Sequence, residues 1–402
     1  MKGPKGLGSL VTVLATTSAL LVGTFVVRPF EKGSRALDWA FGAPPAWTQV
    51  TSLVRDPRSQ ELSTGEQPLK SFGVLTRYWQ SAPEAQKVLI LGNSQTMTVS
   101  LAPGEPPPTG EDRTWTDWVT AHFLEAAPRK ALVYRLAAPA MSYPEALWYV
   151  EYLALHPDLH PDVIVLQINY QSFWNGGVRP GMLGLLDDPA FREAILRESR
   201  ADKPYSETFA SALKERPKRA PGAAKAPSES APAEVGFGAE AETLARSRLD
   251  GIPGFKARHQ QKEDLAELLY RSRIYLLRLK PTTARSISGT RVVQAVACVE
   301  RILDFCAEQK IAPVLFLAPV NPAVKLYGTA ADEAEFNARV HEIEARGHVT
   351  IQPFENRIPA PMWGRQYDGP DPLHLGRQGH RAMADQMIPA IEAALKGQNG
   401  VQ

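Results

Sequence analysis

Five short apolar segments, each followed by a helix-length stretch, constrain the fold of this chain more than any other feature of its sequence. Strands that are apolar along their whole length are typical of a parallel sheet that is covered on both faces. Helix-length connections between such strands indicate right-handed crossovers. The sequence therefore predicts a three-layer α/β fold with a doubly wound, mostly parallel, five-stranded sheet. The predicted strands are KVLILG (87–92), ALVYRLA (131–137), DVIVLQIN (162–169), APVLFLAPV (312–320) and HVTIQPF (348–354).

The stretches between these strands carry helical patterns. We predict helices over about 113–127, 143–155, 290–309 and 331–346. The only two cysteines, Cys298 and Cys306, fall in the third of them. Eight residues of helix place them roughly 12 Å apart along the axis. A disulfide requires Cα atoms within about 7 Å, so we expect two buried thiols.

Residues 6–27 form an uncharged, mostly apolar run close to the N-terminus. As a helix this run extends about 33 Å, close to the ~30 Å hydrocarbon thickness of a bilayer. Basic residues stand on both sides of it, so charge alone assigns no orientation. A cleaved signal peptide is the alternative, although the apolar run is long for one. The pattern favours an uncleaved N-terminal transmembrane helix that tethers a soluble domain.

The alternation of predicted strands and helices is interrupted between residues 182 and 289. Within this interval, residues 214–240 are rich in Pro, Ala, Gly and Ser and hold almost no large apolar side chain. Such a stretch cannot offset the entropy of ordering it, so we predict a disordered loop there. The predicted organisation is a membrane anchor (1–32), a connecting segment (33–84), and an α/β domain in two parts (85–181 and 290–397) around an insertion (182–289).

Three loops that follow predicted strands are conspicuous, and a polar segment near the C-terminus is a fourth candidate. Ligands of open parallel sheets bind at the carboxyl ends of the strands, so these residues are candidates for a site. They are GNSQT (92–96) after the first strand, AAPAMS (137–142) after the second, NYQS (169–172) after the third, and DPLHLGRQGH (371–380) near the C-terminus.

Ser94, Asp371 and His374 are the residue types that nucleophilic catalysis needs. A serine hydroxyl becomes reactive when a base takes its proton, and an imidazole base needs an acceptor on its other nitrogen. Asp371 and His374 can supply that pair from one short loop. Each motif alone has an ordinary explanation as a helix cap. Their joint occurrence, in this order at opposite ends of an α/β pattern, favours the catalytic interpretation.

GNSQT and the late DPLH resemble the G-D-S-x-[ST] and D-x-x-H motifs of the SGNH (GDSL-type) hydrolase family, whose fold is flavodoxin-like. The resemblance implies that Ser94 is the nucleophile, His374 the base and Asp371 its orienting partner. It also implies oxyanion donors at the Ser94 N–H, at Ala140 in the family's glycine position, and at Gln171 or Asn169 in the asparagine position. We expect no cofactor, and no metal, because a zinc site at Asp371 and His380 lacks further ligands at plausible spacing.

The order of the segments further resembles membrane-anchored envelope acyl-transfer proteins, such as the teichoic-acid D-alanine transfer protein and alginate-acetylation-type relatives. The features involved are the N-terminal anchor, the SGNH-like core, APVNP (318–322) and the DPLH segment. This resemblance implies an extracytoplasmic, periplasmic domain at the cell membrane. It also implies an envelope polysaccharide or acyl donor as partner, and a multispanning membrane O-acyltransferase beside it.

Three function classes remain open from the sequence. The leading one is an O-acyltransferase or esterase that forms an acyl-serine intermediate, the two differing in whether a sugar hydroxyl or water attacks that intermediate. The second is a non-catalytic scaffold that binds polysaccharide or an assembly partner. The third is a lipase or phospholipase. A net charge of +2 gives no general field that favours nucleic acid.

Two further features have two interpretations each, and a third has one. Asn321 stands between prolines, which favours a turn over a place in the site. Tyr170, Phe173 and Trp174 form either the floor of a sugar subsite or a buried anchor of their loop. His380 is predicted to lie on the surface of the last helix.

Overall fold

A parallel sheet of five strands forms the centre of the fold, as the apolar segments predicted. The computed structural model describes residues 68–100, 112–125, 131–138, 140–173, 176–215, 289–324, 329–347, 349–353, 357–366 and 369–399. All neighbouring strands of the sheet run parallel, in the order β2-β1-β3-β4-β5. Their bounds are β1 Gln86–Gly92, β2 Ala131–Ala137, β3 Val163–Ile168, β4 Ala312–Leu317 and β5 Ile351–Pro353.

Helices cover both faces of this sheet, so the fold has three layers. The helices α2 and α8 pack on one face, while α1, α3, α4, α5, α6 and α7 contribute to the apolar cluster on the other. Their bounds are α1 Pro68–Gln80, α2 Trp115–Glu125, α3 Tyr143–Ala154, α4 Pro189–Arg200, α5 Ser206–Glu215, α6 Gly289–Glu308, α7 Ala330–Gly347 and α8 Arg377–Asn399.

Two-sided burial explains why the strands read as continuous apolar runs. In β1, Val88 and Ile90 pack into the cluster with α2 and α8, whereas Leu89 and Leu91 pack into the opposite cluster. All four side chains are 0% exposed. Because successive side chains of a strand point to opposite faces, neither face of β1 has room for a polar residue. Truncating any of them to alanine would cost about 2–5 kcal/mol.

The core extends beyond the segments that the sequence assigned. Helix α1, which the sequence reading left unassigned, buries Trp79, and α4 and α5 bury Phe191 and Phe209 against Trp148. The first part of the predicted insertion is thus helical core structure. Helix α5 reaches Glu215, so residues 214 and 215 are helical and do not belong to the predicted loop.

Two predicted segments fall outside the part of the chain that the structure describes. These are the rest of the 214–240 loop and the membrane anchor over residues 1–32. Among the described helices, none combines the length and the apolar character needed to cross a bilayer. The buried free thiols predicted at Cys298 and Cys306 are confirmed.

A separate antiparallel ribbon, β6 Trp363–Gln366 and β7 Gly369–Leu375, precedes helix α8. Leu375 pairs with Trp363 and Pro370 pairs with Arg365, so residues 371–374 bulge out opposite Gly364 alone. A Cβ on Gly364 would lie 2.0 Å from the Ser100 side chain, which explains the glycine. Asp371 and His374, which the sequence predicts in a short loop, lie on this bulged strand.

Candidate active site

The strand order brings the loops after β1, β3 and β4 to one edge of the sheet. The chain passes from β1 to β2 on one side and then returns across β1 to β3, so the strand order reverses between β1 and β3. A crevice forms at such a reversal, outside the carboxyl ends of the strands. Ser94 and Asn169 each follow one of these two strands directly.

Ser94 begins a tight 3₁₀ turn that leaves its hydroxyl free of any capping role. The cap is Asn93, whose Oδ1 accepts the Gln95 N–H at 2.9 Å. The Thr96 hydroxyl donates to the Asn93 carbonyl at 2.7 Å and closes the turn. A Cβ on Gly92 would lie 2.2 Å from the Thr96 Cγ2, so only glycine lets the turn approach the strand end this closely.

The structure brings Ser94, His374 and Asp371 together. His374 Nε2 lies 2.9 Å from Ser94 Oγ, and His374 Nδ1 lies 2.9 Å from Asp371 Oδ2. The other carboxylate oxygen of Asp371 accepts the N–H groups of Leu373 and His374, both at 2.9 Å. Asp371 thus fixes the turn that carries the imidazole as well as the direction of the imidazole itself.

The protonation state of the set follows from the surroundings of Asp371, which is 3% exposed. Burial alone would raise the pKa of this carboxyl group. The hydrogen bond and electrostatic attraction of His374, together with the two backbone N–H donors, outweigh burial and hold the pKa of Asp371 below its ordinary value. An ionised Asp371 keeps a proton on His374 Nδ1. The lone pair on Nε2 therefore faces Ser94, where it can accept the hydroxyl proton.

The four predicted oxyanion donors differ in where the structure places them. Within the described residues, neither the Ser94 N–H nor the Gln171 side chain makes a hydrogen bond, and both residues line a small cavity at the hydroxyl. Asn169 lines the same cavity, but its amide pairs with Ser172 through both its oxygen and its nitrogen. Ala140 has a φ of 51° and lines a different, larger cavity of about 800 Å³. The donor roles of all four stay predictions.

The cavity beside Ser94 is narrow. It encloses about 10 Å³, roughly the space of one water molecule. Pro319, Val320 and Leu373 form its apolar wall on the β4 side. The room beside the hydroxyl therefore fits a methyl-sized group.

Two aromatic residues of the loop after β3 are buried anchors. Tyr170 and Phe173 pack edge-on against Phe336 of α7, with ring centroids 5.5 and 5.3 Å apart. Both are almost fully buried, so neither ring presents a face to a sugar. The third aromatic residue of the group, Trp174, lies outside the described residues.

His380 was wrongly predicted to lie on the surface of the last helix, because it is 0% exposed. Its Nδ1 accepts the Trp115 N–H at 3.1 Å, and its Nε2 donates to the Thr98 carbonyl at 2.9 Å. Burial lowers the pKa of His380 to about 4. It is a neutral structural residue that joins α8 to α2 and to the segment after the nucleophile turn.

Three amide side chains to which the sequence assigns no role in the site connect its parts. Gln95 and Gln167 hydrogen-bond to each other beneath the nucleophile turn, and the Asn321 side chain donates to the Asp371 carbonyl at 2.8 Å. The signal for Gln95 was its place inside the nucleophile motif. The sequence favours a turn role for Asn321, and the structure adds a contact of its side chain with the segment that carries His374.

Comparison with known proteins gives structural likeness alone. No family model and no curated protein matches the chain. Among solved structures, a mutant acetyl-xylooligosaccharide esterase (Axe2) from Geobacillus Stearmophilus has a TM-score of 0.37 and 11% identity, covering 76% of this chain and 94% of its own. The α/β hydrolase LAE5 from the metagenome of Lake Arreo, Spain, has a TM-score of 0.35 and 10% identity, covering 78% and 96%. The carbohydrate acetylesterase Est24 from Sinorhizobium meliloti has a TM-score of 0.32 and 11% identity, covering 77% and 99%.

Proposed function

We propose that this chain is a serine-dependent ester hydrolase or O-acyltransferase that works through an acyl-Ser94 intermediate. One observation carries the proposal: the 2.9 Å contacts from Ser94 Oγ to His374 Nε2 and from His374 Nδ1 to Asp371 Oδ2. The set has the polarity that a nucleophile, a base and an orienting carboxylate require.

The reaction follows from these contacts. His374 Nε2 takes the hydroxyl proton while Ser94 Oγ attacks the ester carbonyl carbon, and the carbonyl oxygen becomes an oxyanion. The tetrahedral species collapses, the C–O bond to the alcohol breaks, and His374 returns the proton to the leaving alkoxide. Water or a sugar hydroxyl then attacks acyl-Ser94, giving up its proton to His374. Collapse of the second tetrahedral species releases the acid or the new ester and re-protonates Ser94.

The oxyanion needs donors that are already in place when it forms. The Ser94 N–H and the Gln171 amide are the donors that we propose, because both line the cavity beside the hydroxyl and neither is engaged by another described residue. Asn169 is a weaker candidate because its amide already pairs with Ser172.

The substrate that we propose is a short-chain acyl ester of an envelope polysaccharide. A cavity of about 10 Å³ beside Ser94 supports an acyl group of about acetyl size. The N-terminal anchor rests on the apolar run over residues 6–27. The extracytoplasmic location and a membrane O-acyltransferase partner rest on the sequence resemblance, and all three are part of the proposal.

Labelling with a fluorophosphonate probe tests the proposal. The full-length protein should be labelled, Ser94→Ala should lose the label, and Ser199→Ala should keep it. Ser199 is a matched control because its hydroxyl also forms a hydrogen bond, to the Leu196 carbonyl, on helix α4. Wild-type protein that takes no label but binds polysaccharide would instead support the scaffold function. A comparison of the turnover of p-nitrophenyl acetate with that of p-nitrophenyl octanoate then tests the size of the acyl group.

A further inference from the structure

The segment that carries Asp371 and His374 lacks the support that a strand normally has. Residues 371–374 pair with no residue of β6, because they bulge out opposite Gly364. Backbone carbonyls in such a bulge need partners outside the ladder. Hydrogen-bond donors from other parts of the chain therefore set the position of residues 371–374.

Three successive carbonyls of the bulge accept hydrogen bonds from two residues of other loops. The Asn321 side-chain Nδ2 donates to the Asp371 carbonyl at 2.8 Å, and the Asn321 backbone N–H donates to the Pro372 carbonyl at 3.1 Å. Gln95 Nε2 donates to the Leu373 carbonyl at 2.7 Å. The backbone is thus held at each residue from Asp371 up to the one that precedes His374.

Asn321 is itself fixed to the end of β4. Its side chain is 1% exposed, and its Oδ1 accepts the Ala323 N–H at 3.0 Å. The amide therefore uses its oxygen to close its own turn and its nitrogen to hold Asp371. These two hydrogen bonds fix the orientation of the amide. In a flipped side chain the oxygen would point at the Asp371 carbonyl and the nitrogen at the Ala323 N–H, and neither pair can form a hydrogen bond.

Gln95 connects the same bulge to the nucleophile turn. Its other Nε2 hydrogen goes to the Pro319 carbonyl at 2.9 Å, and its Oε1 accepts from Gln167 Nε2. Gln167 Oε1 in turn accepts the Asn93 N–H at 3.4 Å. One chain of amides thus runs from the residue before Ser94, across β3, to the residue before His374.

We propose that Asn321 is a positioning residue for the reaction, with Gln95 as its counterpart on the nucleophile side. Asn321 holds the bulge so that Asp371 and His374 face Ser94, and it is not part of the lining of the cavity at the hydroxyl. The proposal rests on the function proposed above. A misplacement of about 1 Å in such a site costs on the order of 10²-fold in rate.

Asn321→Asp is the informative substitution. It keeps the oxygen that accepts the Ala323 N–H and replaces the donating nitrogen with an oxygen that repels the Asp371 carbonyl. Asn321→Ala removes the donor without adding a charge and serves if the first variant does not fold. Gln294→Glu is the matched control, because it also converts a buried, donating amide into an acid, on helix α6, and Gln294 does not line the cavity at Ser94.

Two readouts on the full-length protein separate this inference from the proposed function. In the first, kcat for p-nitrophenyl acetate and the rate of fluorophosphonate labelling should fall about 10²-fold in Asn321→Asp with KM unchanged. Gln294→Glu should keep the wild-type values. A folded Asn321 variant with a kcat within threefold of wild type would overturn the inference.

The second readout needs no turnover. The low-field proton NMR signal of the His374 Nδ1–H, assigned by its loss in His374→Gln, reports the contact with Asp371. It should persist in Gln294→Glu and disappear in Asn321→Asp. An unchanged signal in Asn321→Asp would overturn the positioning role, whether or not the wild-type protein hydrolyses esters. If wild-type protein shows the signal and Asn321→Asp loses it while neither turns over ester, the proposed function alone fails.

Discussion

The buried imidazole of His380 should make the stability of this protein depend on pH. Burial lowers the pKa of His380 from 6.5 to about 4; the hydrogen bond to the Thr98 carbonyl opposes that shift, and repulsion by a protonated His374 and by Arg135 adds to it. The contacts of the ring explain why it stays neutral. Its Nδ1 accepts the Trp115 N–H, so a proton on that nitrogen would face another hydrogen.

The size of the effect follows from proton linkage. Between pH 6.5 and about pH 4, the unfolded chain binds a proton at residue 380 that the folded protein does not bind. The free energy of unfolding therefore falls as the pH falls through this window. A pKa lowered from 6.5 to about 4 corresponds to about 3 kcal/mol in total, and roughly 2 kcal/mol of this is lost between pH 7 and pH 5.

Urea denaturation at pH 7 and pH 5 measures this effect. The loss of stability on acidification should be about 2 kcal/mol smaller in His380→Gln than in wild type, since glutamine can donate and accept but does not titrate. His122→Gln is the matched control, because His122 is exposed and pairs with Glu392. It should keep the wild-type dependence. Equal losses in wild type and His380→Gln would refute the reasoning.

Three further substitutions test the backbone and the charge of the site. Gly92→Ala would put a Cβ 2.2 Å from Thr96, so stability should fall by about 1–3 kcal/mol and ester turnover should fall with it. Ala140→Gly relieves a left-handed φ of 51° and keeps the backbone N–H, so urea denaturation should show up to about 1 kcal/mol of added stability with turnover unchanged. Asp371→Asn should lower kcat by about 10³–10⁴-fold. In the wild-type protein, ionised Asp371 adds to the free energy of unfolding above pH 3.8, and this contribution is lost as the pH falls through the lowered pKa of Asp371 in the folded protein. Asp371→Asn should abolish this contribution.

Each of these outcomes has a contrary result. Gly73→Ala, whose Cβ would meet only the end of Arg77 at 3.8 Å, should be tolerated, so equal damage at residues 73 and 92 would contradict the close-approach argument. Lost turnover in Ala140→Gly would mean that the methyl group matters as well as the backbone N–H. Wild-type turnover in Asp371→Asn would remove the orienting role of the carboxylate.

The sheet could be predicted from sequence because two-sided burial leaves a signature in every strand. The predicted bounds were too long where the chain leaves the sheet, as after Leu317 and before Ile351. Residues 318–320 are still apolar but pack around the site instead of extending β4. Apolar character therefore predicts the location of a strand more reliably than it predicts the residue at which the strand ends.

The ribbon that carries Asp371 and His374 could not be predicted, because its bulge interrupts the alternation by which strands are recognised. His380 was misread for a different reason. It stands in a polar stretch of sequence, and its burial depends on a hydrogen bond to Trp115, 265 residues earlier. Local pattern carries no information about such a partner. The motif residues Ser94, Asp371 and His374 could be chosen without that information, because their chemistry singles them out.

The separation of 280 residues between Ser94 and His374 has a consequence for how the protein acquires its activity. Long-range pairings of parallel strands form slowly, because the entropy cost of closing a large loop comes before any contact can offset it. We therefore expect the hydroxyl and the imidazole to meet only after β3 and β4 have joined the sheet and the ribbon has docked. Regain of turnover during refolding would thus be a late event, and it would trail the recovery of helical circular dichroism.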